Sequence, residues 1–187
     1  MAKLDHPLEK LVQAITYRGV EFEVVSRPDV LWVGFVDCSE ENYDAADVGA
    51  ILKRYQEELS GVTKNDLVNP NYSGVLSVNF GISDKPCSWV FAQEAYSRKH
   101  DDQYDFFTQP GGLWLRMQNN TDSAALLGKK TAEPWEYFAE GILQNAANAN
   151  GYMQNPDVNI QMEYHNHAEC AAPLHANYAY IPVVRKQ

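Results

Sequence analysis

The stretch Val158-Asn159-Ile160-Gln161-Met162-Glu163-Tyr164-His165-Asn166-His167 gathers side chains able to do chemistry. Its alternation predicts a strand over 158–167. Successive side chains of a strand point to opposite faces. Gln161, Glu163, His165 and His167 then share one face, and Met162, Tyr164 and Asn166 share the other. A strand is a stiff mount for a carboxylate. Lining an aromatic groove, Glu163 is a buried anion able to select a cation. In a dry pocket its pKa rises and it serves as a general acid or base. A solvent-facing glutamate on an edge strand fits the same pattern.

His165, His167, Cys170 and His175 are the one cluster with the look of metal ligands, to which Glu163 adds a carboxylate. The spacing matches no strong zinc motif, so the expectation is no metal. Cys38, Cys87 and Cys170 form no CxxC pair and read as small buried residues. Pro110-Gly111-Gly112 precedes a strand rather than a helix, so it is turn chemistry and not a phosphate loop. No G-x-S-x-G elbow occurs. No cofactor is expected.

Rings are more informative. Eleven tyrosines, seven phenylalanines and four tryptophans make up 12% of the chain, enough for both a core and a pocket for a flat organic ligand. Trp89 and Phe91 alternate with Ser88 and Val90 and so share a face. Trp114 follows the Gly-Gly turn, and Tyr178 and Tyr180 share a face of the last strand. Trp135 and Phe138, on the apolar side of a helix, read as core.

These residues need elements to position them. A chain of 187 residues is one ordinary domain, able to bury roughly two thirds of its extended surface without a staple. Fifteen bases against 25 acids give a net charge of −10, and the bases are scattered. That argues against autonomous nucleic-acid binding. No apolar run is long enough to span a membrane. The opening residues lack a signal-peptide pattern, and three cysteines fit a reducing compartment, so the expectation is cytoplasmic.

Leu8, Leu11, Val12 and Ile15 at helical spacing predict a helix over 7–18, making 1–19 an N-terminal addition. Val20 to Asp37 reads as extended with a break at Arg27-Pro28-Asp29. Val48, Ile51, Leu52, Tyr55 and Leu59 predict a helix, and 73–81 and 87–96 predict strands. Tyr104 to Met117 reads as two extended halves, and Asn119 to Lys130 as a loop. A helix then opens at Glu133-Pro134-Trp135 and ends at Asn150-Gly151. The last strand, 178–185, contains Pro182, tolerable on an edge. Strand, helix, strand, strand thus occurs twice, over 20–96 and 104–185. The fold class is α+β: duplicated β-α-β-β units, an antiparallel sheet with helices on one face, and a ligand groove between the halves.

Several segments, in this order, resemble the gyrase-inhibitor-like family, the effector-binding domain of AraC- and MerR-type activators. They are Tyr72-Ser73-Gly74-Val75-Leu76-Ser77-Val78-Asn79-Phe80-Gly81-Ile82, Trp89-Val90-Phe91-Ala92 and Phe107-Thr108-Gln109-Pro110-Gly111-Gly112-Leu113-Trp114. The helix closing in Asn150-Gly151-Tyr152, then Met162-Glu163-Tyr164 and Tyr180-Ile181-Pro182-Val183, complete the resemblance over about 20–186. The resemblance implies a pseudo-two-fold fold whose groove binds bulky aromatic, often cationic compounds. A glutamate on the penultimate strand supplies the charge. Glu163 falls on that position, with Tyr178 beside it and Trp114, Trp89 and Phe91 following. No helix-turn-helix pattern is legible, so the resemblance implies a stand-alone binding module for drug or effector sensing or sequestration. The histidine-rich run after Glu163 departs from the family pattern.

Two other functions stay open on the same resemblance. Some family members hydrolyse strained cyclopropane-bearing DNA-alkylating compounds, which would make Glu163 catalytic. Another reading is inhibition of DNA gyrase by protein–protein contact. A homodimer is also open.

Overall fold

The computed structural model describes residues 4–39, 66–79, 85, 87–100, 102–129, 134–166 and 176–186. The expected helix over Val48–Leu59 lies outside the described residues, as do His167, Cys170 and His175. The described residues form strands β1 (Lys10–Tyr17), β2 (Val20–Arg27), β3 (Val30–Ser39), β4 (Tyr72–Val78) and β5 (Cys87–Ala95). Strands β6 (Asp105–Gln109) and β7 (Gly112–Gln118) precede helices α1 (Thr121–Leu126), α2 (Pro134–Ala139) and α3 (Ile142–Ala149). Strands β8 (Tyr152–Gln154), β9 (Ile160–Asn166) and β10 (Tyr178–Arg185) complete the set. All strand pairs are antiparallel, in the order β1-β2-β7-β10-β9-β4-β5-β3-β6, with β8 beside β10. The fold is α+β, with helices packed on one face.

The duplication shows in that order. Outward from the β4–β9 seam, one half runs β4, β5, β3 and the other runs β9, β10, β7. In each half the second strand lies at the seam, the third is next and the first is outermost. The halves are also stitched at their far ends. The β2–β3 and β6–β7 segments pair in one unbroken register, from Phe22↔Met117 through Arg27↔Gly112 and Val30↔Gln109 to Gly34↔Asp105. The ladder bends where Pro28-Asp29 meets Pro110-Gly111. Gly111 N–H donates to Asp29 Oδ1 at 2.7 Å. A Cβ on Gly111 would lie 2.7 Å from the Pro28 carbonyl carbon and 2.8 Å from the Asp29 nitrogen, so only glycine fits.

The helix face holds an apolar core beneath the helices. Phe22, Val24, Leu115, Met117, Ala179 and Ile181 on the sheet pack under Tyr137, Phe138, Leu143 and Ala146 of α2 and α3. A second cluster on the same face joins Val33, Phe35, Phe91 and Tyr104. Among the described residues no helix is long and apolar enough to cross a membrane.

Four local expectations are corrected. Residues 10–17 are a strand, not the N-terminal helix expected within 1–19. Arg18 and Gly19 both have positive φ, 51° and 82°, and form the two-residue turn that matches hairpin twist. Leu11 and Val12, counted toward a helical stripe, are exposed, and only Ile15 of the strand is buried. Residues 121–126 are helical rather than loop. Asn120 caps Ser123 N–H at 2.9 Å and Ser123 Oγ accepts Asn120 N–H at 3.0 Å, a reciprocal capping box. The single helix expected to end at Asn150-Gly151 is two, parted at Gly141 (φ 64°). Pro182 is interior to the sheet. It sits where β9 pairing with β10 gives way to β8, and its carbonyl accepts Asn155 N–H at 2.9 Å.

Gly111→Ala is expected to destabilise the fold by about 1–3 kcal/mol, the cost of overpacking, because the opposing atoms are backbone. Urea unfolding measures it, and an unchanged midpoint would contradict the bend as described.

Candidate acid–aromatic site

Residues paired across a ladder share a face, so register decides which predicted residues meet. Glu163 pairs with Val75 on one side and Ala179 on the other. Trp89 pairs with Ser77, which pairs with Gln161. All lie on the helix face. There, Ser77, Trp89, Gln161 and Glu163 meet Trp135, Phe138 and Ala139 of α2 around a cavity of about 200 Å³. The Glu163 side chain is 23% exposed, with His165 Nε2 3.7 Å from its Oε2. Trp89 therefore joins Glu163 as expected. Phe91 is fully buried behind Trp89, its ring stacked at 6.3 Å, and does not line the cavity. Trp135, expected in the core, is 60% exposed at the cavity rim.

Tyr178 and Trp114 are elsewhere. Tyr178 pairs with Tyr164, and Trp114 with Pro182, so both point to the opposite face. The constellation expected around Glu163 is split by the sheet. The cause is strand alternation: Ala179, not Tyr178, stands beside Glu163.

The opposite face has its own carboxylate, which sequence reasoning missed. Glu94 on β5 pairs with Trp32 and is 1% exposed. Its Oε2 accepts from Tyr164 Oη at 2.9 Å and lies 2.5 Å from His6 Nε2. Its Oε1 accepts from Arg27 Nη2. Rings surround this centre. Tyr72 stacks on Tyr164 at 4.9 Å and 13°, and the Trp32 ring meets Tyr164 edge-on at 6.3 Å. Tyr180 meets Tyr164 edge-on at 6.2 Å, and the Arg27 guanidinium lies 5.6 Å from the Tyr180 ring centre. Trp32 can lie flat across β4 because position 74 is glycine: a Cβ there would fall 2.4 Å from the indole. Trp32 Nε1–H donates to Gln109 Oε1 at 2.8 Å. The signal was present in the sequence. Val90, Ala92 and Glu94 alternate along β5, which places one acid on an otherwise apolar face.

A second ionic group adjoins the first. Arg116 donates to Glu9 at 2.5 Å, to Glu23 and to the Leu4 carbonyl at 3.1 Å, and lies 5.5 Å from the Tyr178 ring centre. Glu9 also lies 3.4 Å from Arg27. Burial opposes the charge on Glu94, but Arg27, and then the His6 hydrogen bond, outweigh it and hold its pKa below the ordinary value. Burial likewise opposes the charge on Arg27, and Glu94 and Glu9 outweigh it and raise its pKa. Tyr164 is pushed well above its ordinary pKa, first by burial and then by the Glu94 charge, so it stays a donor. Among the described residues no group of three or more His, Cys, Asp or Glu is placed to hold a metal ion.

No protein-family model matches the chain, and no curated protein matches it. Solved structures share its fold. A Staphylococcus aureus MU50 protein, provisionally described as a bacterial transcription regulation protein, superposes with a TM-score of 0.58 at 16% identity. That match covers 90% of this chain and 100% of the other. SAV2435, solved bound to tetraphenylphosphonium, gives 0.60 at 14% identity over 87% of this chain and 93% of its own. An integron cassette protein from the mobile metagenome of Vibrio cholerae gives 0.51 at 11% identity, over 88% and 95%. At these identities the likeness is one of fold.

Glu94 makes acid stability the direct test of this electrostatic account. With a folded pKa below the ordinary 4.5, its contribution is complete above that pH and is lost as pH falls through the lower folded value. Glu94→Gln is expected to cost about 3–5 kcal/mol at neutral pH, the scale of removing one partner of a buried pair. The variant's stability should also fall less steeply than wild type below pH 4.5. Parallel stability–pH curves would show that folding does not lower the Glu94 pKa.

Proposed function

We propose that the chain is a small-molecule-binding module for a bulky aromatic cation, serving effector sensing or sequestration, and that the Glu94 face recognises the ligand. One observation carries the reading. A fully buried carboxylate sits among Tyr72, Tyr164, Trp32 and Tyr180, and one of its hydrogen-bond partners, His6, comes from outside the sheet. A carboxylate and ring faces attract the same ligand. The first supplies charge, and the second supplies cation–π contact and apolar area, each stronger where water is excluded. The fold shared with SAV2435 supports the class, since tetraphenylphosphonium is an aromatic cation. Tyr178 and Trp114 belong to this face.

A second reading keeps the ligand in the groove at Glu163 and Trp89, favoured by its open space. At about 200 Å³ the groove falls short of the roughly 300–1,000 Å³ typical of drug-sized ligands.

Calorimetric titration with tetraphenylphosphonium separates the two. Saturable binding is expected, with Kd raised about 10–100-fold in Glu94→Gln (roughly 1.4 kcal/mol per tenfold) and almost unchanged in Glu163→Gln. Neutral triphenylphosphine oxide is expected to bind more weakly than the cation. Affinity lost in Glu163→Gln and kept in a folded Glu94→Gln would move the site to the groove.

A further inference from the structure

The acid–aromatic face is covered by residues 4–9. Leu4 is 7% and His6 4% exposed, and Leu4 belongs to the same apolar cluster as Trp32, Tyr164 and Tyr178. Leu4 N–H donates to Tyr178 Oη at 2.8 Å, and the Leu4 carbonyl accepts from Arg116. The His6 ring lies 5.7 Å from the Tyr164 ring and bonds Glu94, and its Nδ1 accepts Leu8 N–H at 3.2 Å. Glu9 closes the segment onto Arg116. A nitrogen ring on the carboxylate and an apolar side chain among the aromatics are the two features expected of an aromatic cation.

None of residues 4–9 takes part in a β-ladder; pairing of β1 with β2 starts at Lys10↔Ser26. The segment can therefore lift away without breaking a rung of the sheet. Arg27, on β2, cannot. When the segment lifts, Glu94 keeps Arg27 and Tyr164 as partners, while the places of the Leu4 and His6 side chains open beside the rings.

Resting on the reading of the Glu94 face as the ligand site, we infer that Leu4–Glu9 is an internal occupant of that site, a strap that an aromatic cation displaces. His6 is its anchor. The strap sets selectivity. A competitor must offer Glu94 a positive or hydrogen-donating group and cover the rings that Leu4 covers. A neutral hydrocarbon replaces Leu4 but leaves the carboxylate short of a partner, which is costly in a buried site.

The test uses the full chain, tetraphenylphosphonium as probe, and His6→Ala and Leu4→Ala variants whose folding is checked by near-ultraviolet circular dichroism. Apparent affinity falls with the fraction of molecules whose site is open. A strap docked nine-tenths of the time therefore implies about tenfold tighter binding in His6→Ala. Leu4→Ala should shift the same way. Amide exchange at Leu4, Leu8 and Glu9 should quicken when the probe binds wild type, while the amides of β5, β9 and β10 keep their protection. Binding with those three amides still protected, or unchanged or weaker affinity in a folded His6→Ala, overturns the strap and leaves the Glu94 site standing. No binding to wild type and His6→Ala alike overturns the site reading, and the strap with it.

Discussion

Arg27 and Glu94 are both 1% exposed and in contact, and much of the molecule is arranged around that pair. A lone charge at such depth costs several kcal/mol, so neither side chain can be buried without the other. They come from distant parts of the sheet: Glu94 from β5, Arg27 from the end of β2 beside β7. The bend at Pro28-Asp29 and Pro110-Gly111 lies just beyond the Arg27↔Gly112 pair. Arg27 is the last residue of β2 before that bend. Replacing such a pair with apolar residues is often neutral for stability, whereas removing one partner is costly, so the two side chains depend on each other.

The sheet divides its labour by face. On the helix side, aliphatic and aromatic residues of β2, β7 and β10 meet α2 and α3 in an ordinary core. On the other side the strands present tyrosines, tryptophans and charged groups, which Leu4 and His6 cover among the described residues. Tyr164 links the two kinds of chemistry. It donates to Glu94, stacks on Tyr72 and meets both Trp32 and Tyr180 edge-on. Glycine at 74 gives Trp32 its place over β4. The aromatic wall and the carboxylate are thus parts of one packed arrangement.

Much of this sheet was legible in the sequence because alternation is a local signal. Strands β4, β5, β7, β9 and β10, and the break at Pro28, follow from residue spacing alone. The N-terminal strand was misread because Leu8, Leu11, Val12 and Ile15 also fit a helical stripe. The Arg18-Gly19 turn, which favours a hairpin, carries less weight in such a count. The site was legible in its ingredients but not in its assembly. Glu163, Trp89, Trp114 and Tyr178 all occur on strands as expected, yet a one-residue offset in register sends Tyr178 and Trp114 to the far face. Glu94, Arg27 and His6 are separated by 67 to 88 positions in their contacts, and no local pattern records such pairings.

The four tryptophans offer the most direct test of the central claim, that the Glu94 face holds the ligand. Trp32 and Trp114 lie on that face, and Trp89 and Trp135 line the Glu163 groove. The measurement is the indole N–H resonances of ¹⁵N-labelled protein during titration with tetraphenylphosphonium. The account predicts saturable shifts at Trp32, whose N–H is held by Gln109, and at Trp114, with Trp89 and Trp135 almost still. Shifts confined to Trp89 and Trp135 would contradict it and place recognition at Glu163.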